Sequence, residues 1–149
     1  MKYQFHQDRT LPINNEVFVF GSNTAGRHGA GAALVAKQQF GAVYGQGVGY
    51  MANKFTGRAS YAIPTKGEDS KGRLFTLLLP EIKLEVNQFI QFAADHPQMR
   101  FFMTRIGCEL AGYKDSDIAP MFMDAPDNIQ FPEQWKGILR AKVGVGFRM

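Results

Sequence analysis

An apolar strand that runs straight into a glycine-spaced polar loop, and from there straight into a helix, constrains this chain more than any other feature. The segment is Phe18-Val-Phe-Gly-Ser-Asn-Thr-Ala-Gly-Arg-His-Gly-Ala-Gly-Ala-Ala33. Such a junction leaves backbone N–H groups unpaired at the positive end of a helix dipole, where a phosphate is the usual occupant. Gly21, Gly26, Gly29 and Gly31 permit positive φ and close approach of a ligand to the backbone. Ser22, Asn23, Arg27 and His28 place side-chain donors beside them, with Ala30 between the last two glycines. The segment reads as a nucleotide-binding loop; the plainer alternative is an ordinary tight strand-to-helix turn.

Two common loop types are excluded. Gly21 and Gly26 have the spacing of a Walker loop, but Arg27 and His28 follow where a lysine and a magnesium-binding hydroxyl are required, which disfavours NTP hydrolysis. Gly29-Ala-Gly31 begins like a dinucleotide fingerprint, yet Leu34 stands at its third glycine and no acidic residue follows at a suitable distance.

A length of 149 residues suits a single domain spanning 1–149 with a substantial core. The N-terminus has no apolar run after its charges, so it does not read as a secretory signal, and no stretch is apolar for long enough to span a membrane. A single cysteine, Cys108, excludes an internal disulfide and suits a cytoplasmic location. His6, His28 and His96 have no second ligand at metal spacing, so neither a metal nor another cofactor is expected. The net charge of +4 comes entirely from Lys136, Arg140, Lys142 and Arg148; residues 136–149 form a basic tail or edge element. That tail could touch nucleic acid, although four charges are few for duplex binding and a solvated edge is the plainer reading.

Glu16 to Phe20 reads as a buried strand and Ala30 to Phe40 as a helix stopped by Gly41. Gly41 to Lys54 is glycine-rich and reads as an extended loop, either wrapping a ligand or serving as a surface connection. Ser60 to Pro64 is a second strand, closed by the proline and followed by a polar run to Gly72. Ile82, Val86, Phe89, Ile90 and Ala93 then form one apolar stripe at helical period, ended by His96-Pro97. Arg100 to Thr104 is a further strand, and Arg105 to Tyr113 a second glycine-bearing loop. Asp115 and Asp117 suit the N-terminus of a short helix through Met123. Asn128 to Phe131 reads as a late strand, Pro132 to Leu139 as terminal helical turns, and Val143 to Phe147 as an edge strand or loose end.

Uniformly apolar strands alternating with helices imply an α/β fold, a three-layer α/β/α sandwich on a mixed, largely parallel sheet. In such sheets ligands bind beyond the C-terminal strand ends. Three segments would meet there: the first loop, the stretch carrying Thr65 and Lys66, and the loop from Ile106 to Tyr113.

Gly29-Ala-Gly-Ala-Ala33 with Lys37-Gln-Gln-Phe-Gly41, Tyr61-Ala-Ile-Pro-Thr-Lys66 and Arg105-Ile-Gly-Cys-Glu-Leu110 occur in that order over roughly Val17 to Phe122. In this order and spacing the chain resembles macro domains, the ADP-ribose-binding fold. It is most similar to the branch containing the terminal ADP-ribose glycohydrolase and antitoxin-type de-ADP-ribosylating macro domains. The resemblance implies a ligand of ADP-ribose, or an ADP-ribosylated protein or nucleotide. It implies two facing loops, Gly29 to Gly31 and Gly107 to Gly112, holding a pyrophosphate through backbone N–H groups. Ile106, Cys108, Leu110 and Ala111 would belong to the second wall, and Asn23 would bond the distal ribose. Tyr113 or Phe131 would stack on adenine.

The resemblance also implies that Lys66 is the position of a nucleophilic lysine, which would have to lose its proton to attack a ribose carbon. The branch's catalytic aspartate falls on Ala111 here, and alanine can neither polarise a hydroxyl nor carry a proton. Glu109, where the branch has glycine, is the candidate replacement acid. The expected function is therefore binding of ADP-ribose or a related nucleotide signal by a monomer or weak dimer. Its alternative is an ADP-ribosyl hydrolase using Lys66. A thiol hydrolase pairing Cys108 with His28 is a third reading, set against the commoner fate of a lone cysteine, which is burial.

Overall fold

The computed structural model describes residues 3–108 and 110–140. Its strands are β1 (Gln4–His6), β2 (Val17–Asn23), β3 (Gly49–Ala52), β4 (Ala59–Glu68), β5 (Leu74–Thr76), β6 (Phe101–Met103) and β7 (Ile129–Pro132). They form one seven-stranded sheet in the order β1-β7-β6-β2-β4-β3, with β5 also paired to β4. β1 with β7, β7 with β6, β6 with β2 and β2 with β4 are parallel, while β3 and β5 each run antiparallel to β4.

The continuous apolar run of β2 is explained by its central place, since alternate residues enter two different cores. Val17 and Val19 face a larger cluster, and Phe18 and Phe20 a smaller one. Helix α1 (Gly31–Gln39) closes the smaller cluster with Ala33 and Ala36. Helix α2 (Leu79–Asp95) covers the larger one with Ile82, Val86, Phe89 and Ala93. It begins with Pro80 in its first turn and with Glu81 accepting the Leu78 N–H at 2.8 Å. The turn that follows it is closed by Asn128, whose amide nitrogen shares its two protons among the carbonyls of Ala93, His96 and Met99 at 3.0, 3.2 and 3.1 Å. A short helix α3 (Asp115–Ile118) and 3-10 turns at Ala119–Phe122 and Glu133–Trp135 complete that face, so the sheet lies between two helical layers.

Two expectations differ from the structure, and one strand was unforeseen. The stretch Gly41 to Lys54 is not wholly a loop, because β3 forms within it as Met51 drops into the α1 core. Pro64 does not close its strand; β4 runs on to Glu68 and turns back into β5. The proline lies outside the stretches of β4 paired with β3 and β5 and stands opposite Ser22 of β2, where the register slips so that Asn23 faces Lys66, an irregularity that accommodates its missing N–H. Strand β1, three residues long, carries no periodicity of its own and pairs only with β7. The suggested element Val143 to Phe147 lies outside the described residues. Two of the four tail cations, Lys136 and Arg140, stand over the Phe5 ring at 6.0 and 5.7 Å. No described helix is long and apolar enough to cross a membrane.

Candidate functional site

The parallel strands β2, β4 and β6 deliver their C-terminal ends to one edge, and the first loop rises from β2 through a register shift at Ser22/Asn23. The loop is shaped from within by Asn23. Its side-chain oxygen accepts the Arg27 N–H and its amide nitrogen donates to the Arg27 carbonyl, both at 2.9 Å. It is supported from below by the segment Gly45–Gly47. Gly26 has φ +71°, and a Cβ there would stand 2.3 Å from the Gly45 carbonyl carbon. Ser22 donates its hydroxyl to the Gly47 carbonyl, and His28 Nε2 lies 2.9 Å from the Gln46 carbonyl oxygen. The glycine-rich stretch is thus the foundation of the loop rather than a cover over a ligand.

The opposite wall leaves β6. Thr104 donates its hydroxyl to the Val19 carbonyl at 2.8 Å, and Gly107, at φ +75°, turns the chain tightly against Ile118. The two walls face each other closely, since a Cβ on Gly21 would meet Gly107 N and Ile106 Cβ at 3.6 Å. Between them α1 begins at Gly31 with no side-chain cap and no acidic residue in its first turn. Its leading N–H groups therefore have no intrahelical acceptor. Hairpin β4–β5 forms the third side, tied to one wall by Arg27 to Glu68 and by Arg27 to the Gly72 carbonyl at 2.5 Å. Thr76 ties it to the other by donating to the Ala111 carbonyl at 3.3 Å.

Two adjoining cavities result. The first, about 300 Å³, is lined by Gly21, Ser22, Asn23, Gly29, Ala30, Gly31, Thr65, Lys66, Ile106, Gly107, Leu110 and Ala111. Arg27, Ala32, Ala33, Leu74, Thr104 and Arg105 complete it. The second, about 440 Å³, is lined by His6, Asp8, Arg9, Phe18, Val35 and Phe102 among others. The His6 and Phe102 rings stack with centroids 3.7 Å apart at 14°, and the His6 ring is fixed by Nδ1 at 2.9 Å from Gln130 Oε1. Burial holds the His6 pKa below its ordinary value, against the raising effect of that contact. Gly31, Ala32, Thr104, Arg105 and Leu110 belong to both cavities.

Charge in the first cavity is all of one sign: Arg27, Lys66 and Arg105 line it, and no carboxylate of the described residues does. Asp115 grips Arg105 from behind, 3.0 Å from Nε and 2.7 Å from Nη2, and also accepts the Trp135 Nε1–H at 2.7 Å. Burial pushes the Asp115 carboxyl up, but these donors outweigh it and leave the pKa below the usual carboxylate range. The same carboxylate, after burial itself, raises the Cys108 thiol to about 12.

Sequence reasoning thus named twelve residues that the fold does bring together around the first cavity. Five others lie off it. His28 is fully buried, edge-on to Phe20 at 5.3 Å. Cys108 packs against the α2-side core, on the other side of the sheet from the Phe20 cluster, so no Cys–His pair forms. Tyr113 is held by its hydroxyl donating to the Leu77 carbonyl at 2.6 Å, and Gly112 sits in an exposed turn at φ +85°. Phe131 is fully buried in the core and presents no face to a ligand. Glu109 lies outside the described residues. His6, Asp8, Phe102 and Arg105 were missed. Arg105 opens the quoted Arg105–Leu110 motif without having been given a role there, and nothing local marks β1 as a neighbour of the cleft.

This fold and site define an α/β domain with a cationic, amide-lined cleft at the C-terminal edge of a largely parallel sheet. Among the solved structures that share its fold are three. One is a protein of unknown function from Bacteroides thetaiotaomicron, at TM-score 0.61 and 20% identity over 89% of this chain and 98% of that one. A second protein from Bacteroides thetaiotaomicron aligns at TM-score 0.55 and 21% identity, over 89% of this chain and 97% of that one. The third, alphavirus P23pro-zbd, has TM-score 0.63 and 12% identity, covering 97% of this chain and 24% of that one. No protein-family model and no curated protein matches the chain.

Proposed function

We propose that this protein is a macro-type module that binds ADP-ribose, or a closely related adenine nucleotide, across the two adjoining cavities. The observation that carries the reading is the first cavity itself. Two glycine-bearing loops and an uncapped helix N-terminus converge on it with three cationic side chains and, among the described residues, no carboxylate. That is the chemistry of a diphosphate site. The second cavity, larger and bordered by the stacked His6–Phe102 pair, has the size and flat apolar wall suited to a nucleobase. The motifs that resemble macro domains, Gly29 to Ala33, Thr65-Lys66 and Ile106-Gly107, all contribute to the same wall system.

Binding is favoured over hydrolysis. Lys66 borders the cavity, but Ala111 stands where the resemblance places an acid. Calorimetric titration with ADP-ribose should give saturable heat. No heat at millimolar ligand would remove the reading. Release of ADP-ribose from a modified protein, abolished in Lys66→Ala, would instead establish the hydrolase.

A further inference from the structure

Among the described residues Arg105 is the one charged side chain that borders both cavities. A ligand extending from one to the other must pass it. Its Nε and Nη2 edge is occupied by the bidentate contact to Asp115, the strong geometry for a guanidinium. Its Nη1 makes only a 3.4 Å contact to Asp8. Of the five guanidinium N–H groups three are engaged, leaving one on each terminal nitrogen without a protein acceptor among the described residues. The side chain keeps 23% exposure at this junction. At that exposure the two remaining N–H groups are open to solvent or to a ligand.

We propose that Arg105 selects ligands with a phosphate-bearing linker at the junction of the two cavities, and that Asp115, itself fixed by Trp135, is its positioning residue. The proposal rests on the nucleotide reading of the cleft and adds the group that Arg105 recognises there. An entering phosphate exchanges only the single long Asp8 contact, while the bidentate Asp115 grip keeps the plane of the guanidinium in place. A neutral ligand confined to the second cavity gains nothing from the same side chain.

The test is Arg105→Gln, titrated with ADP-ribose by calorimetry and with adenosine by ligand-observed NMR. A charge-assisted contact predicts ADP-ribose binding weakened about 10- to 100-fold, with adenosine affinity held within about twofold. Equal losses for both ligands, or none, overturn the proposal. Should Arg105→Gln not fold, the unaltered protein supplies the readout through NMR of its arginine side-chain N–H groups. Saturating ADP-ribose should shift the Arg105 guanidinium signals and adenosine should not; heat of binding with those signals unmoved overturns the role of Arg105. Absence of any ADP-ribose heat removes the nucleotide reading and this inference together. Heat that persists unchanged in Arg105→Gln removes the inference alone.

Discussion

Asn23 and Arg27 close the first loop as a ring, the Asn23 amide bonding both backbone groups of Arg27 at 2.9 Å. The resemblance to macro domains gave this asparagine a ribose to hold, but both of its polar atoms shape the loop that carries the ligand. Buried side chains of this kind act on binding through the backbone they fix.

Asn23→Ala should therefore cost about 1–3 kcal/mol of stability, two part-buried bonds to backbone being lost, and should weaken ADP-ribose binding as the loop opens. Asn23→Asp keeps the acceptor for the Arg27 N–H and should fall between the two. Urea denaturation with parallel calorimetry separates the effects; an Asn23→Ala variant of native stability and reduced affinity would return the residue to a direct contact.

Two glycines of the same loop should respond in opposite ways. Gly26→Ala combines positive φ with a Cβ 2.3 Å from backbone at Gly45, and strain plus overpacking should cost about 3 kcal/mol or more. For a chain of this length that is a fall in Tm of roughly 6–12 °C. Gly29→Ala meets nothing within 4 Å and should leave Tm nearly unchanged, while its methyl enters the cavity and lowers ligand affinity. Equal Tm losses would contradict the loop geometry.

Cys108 should be inert in the native protein. With its pKa pushed up to about 12 by burial and by Asp115, only about one thiol in ten thousand is ionised at pH 8. Intact-mass measurement of iodoacetamide labelling should show modification in urea and almost none in buffer; similar rates in both would refute the raised thiol pKa of the half-buried Cys108.

His6 should make stability depend on pH between neutral and mildly acid conditions. Its folded pKa lies below the ordinary value, chiefly through burial, so the unfolded chain takes up the proton more readily. Its contribution is fully present above the unfolded pKa of about 6.5 and is lost as pH falls through the folded value. The urea midpoint should drop between pH 7.5 and pH 5.0, and should drop less in His6→Phe. An equal drop in both proteins would assign the dependence elsewhere.

The sequence by itself determined the elements whose information is local. The β2–loop–α1 junction, the α2 stripe and the apolar β6 are each legible within a short window, because period and glycine spacing act on the chain where they occur. They also placed Gly21, Gly31, Thr65, Lys66 and Gly107 at one strand edge, since parallel strands must deliver their ends together. Only the tertiary structure decided which polar groups remain for a ligand. Asn23 and Ser22 bond backbone, His28 is buried and Tyr113 bonds Leu77, and each of those contacts requires the fold around it. The second cavity was likewise invisible, because it depends on β1 pairing with β7 and bringing Asp8 to Arg105, 97 residues away in the chain. No periodicity encodes a contact between segments so far apart; it exists only once the sheet order has been set.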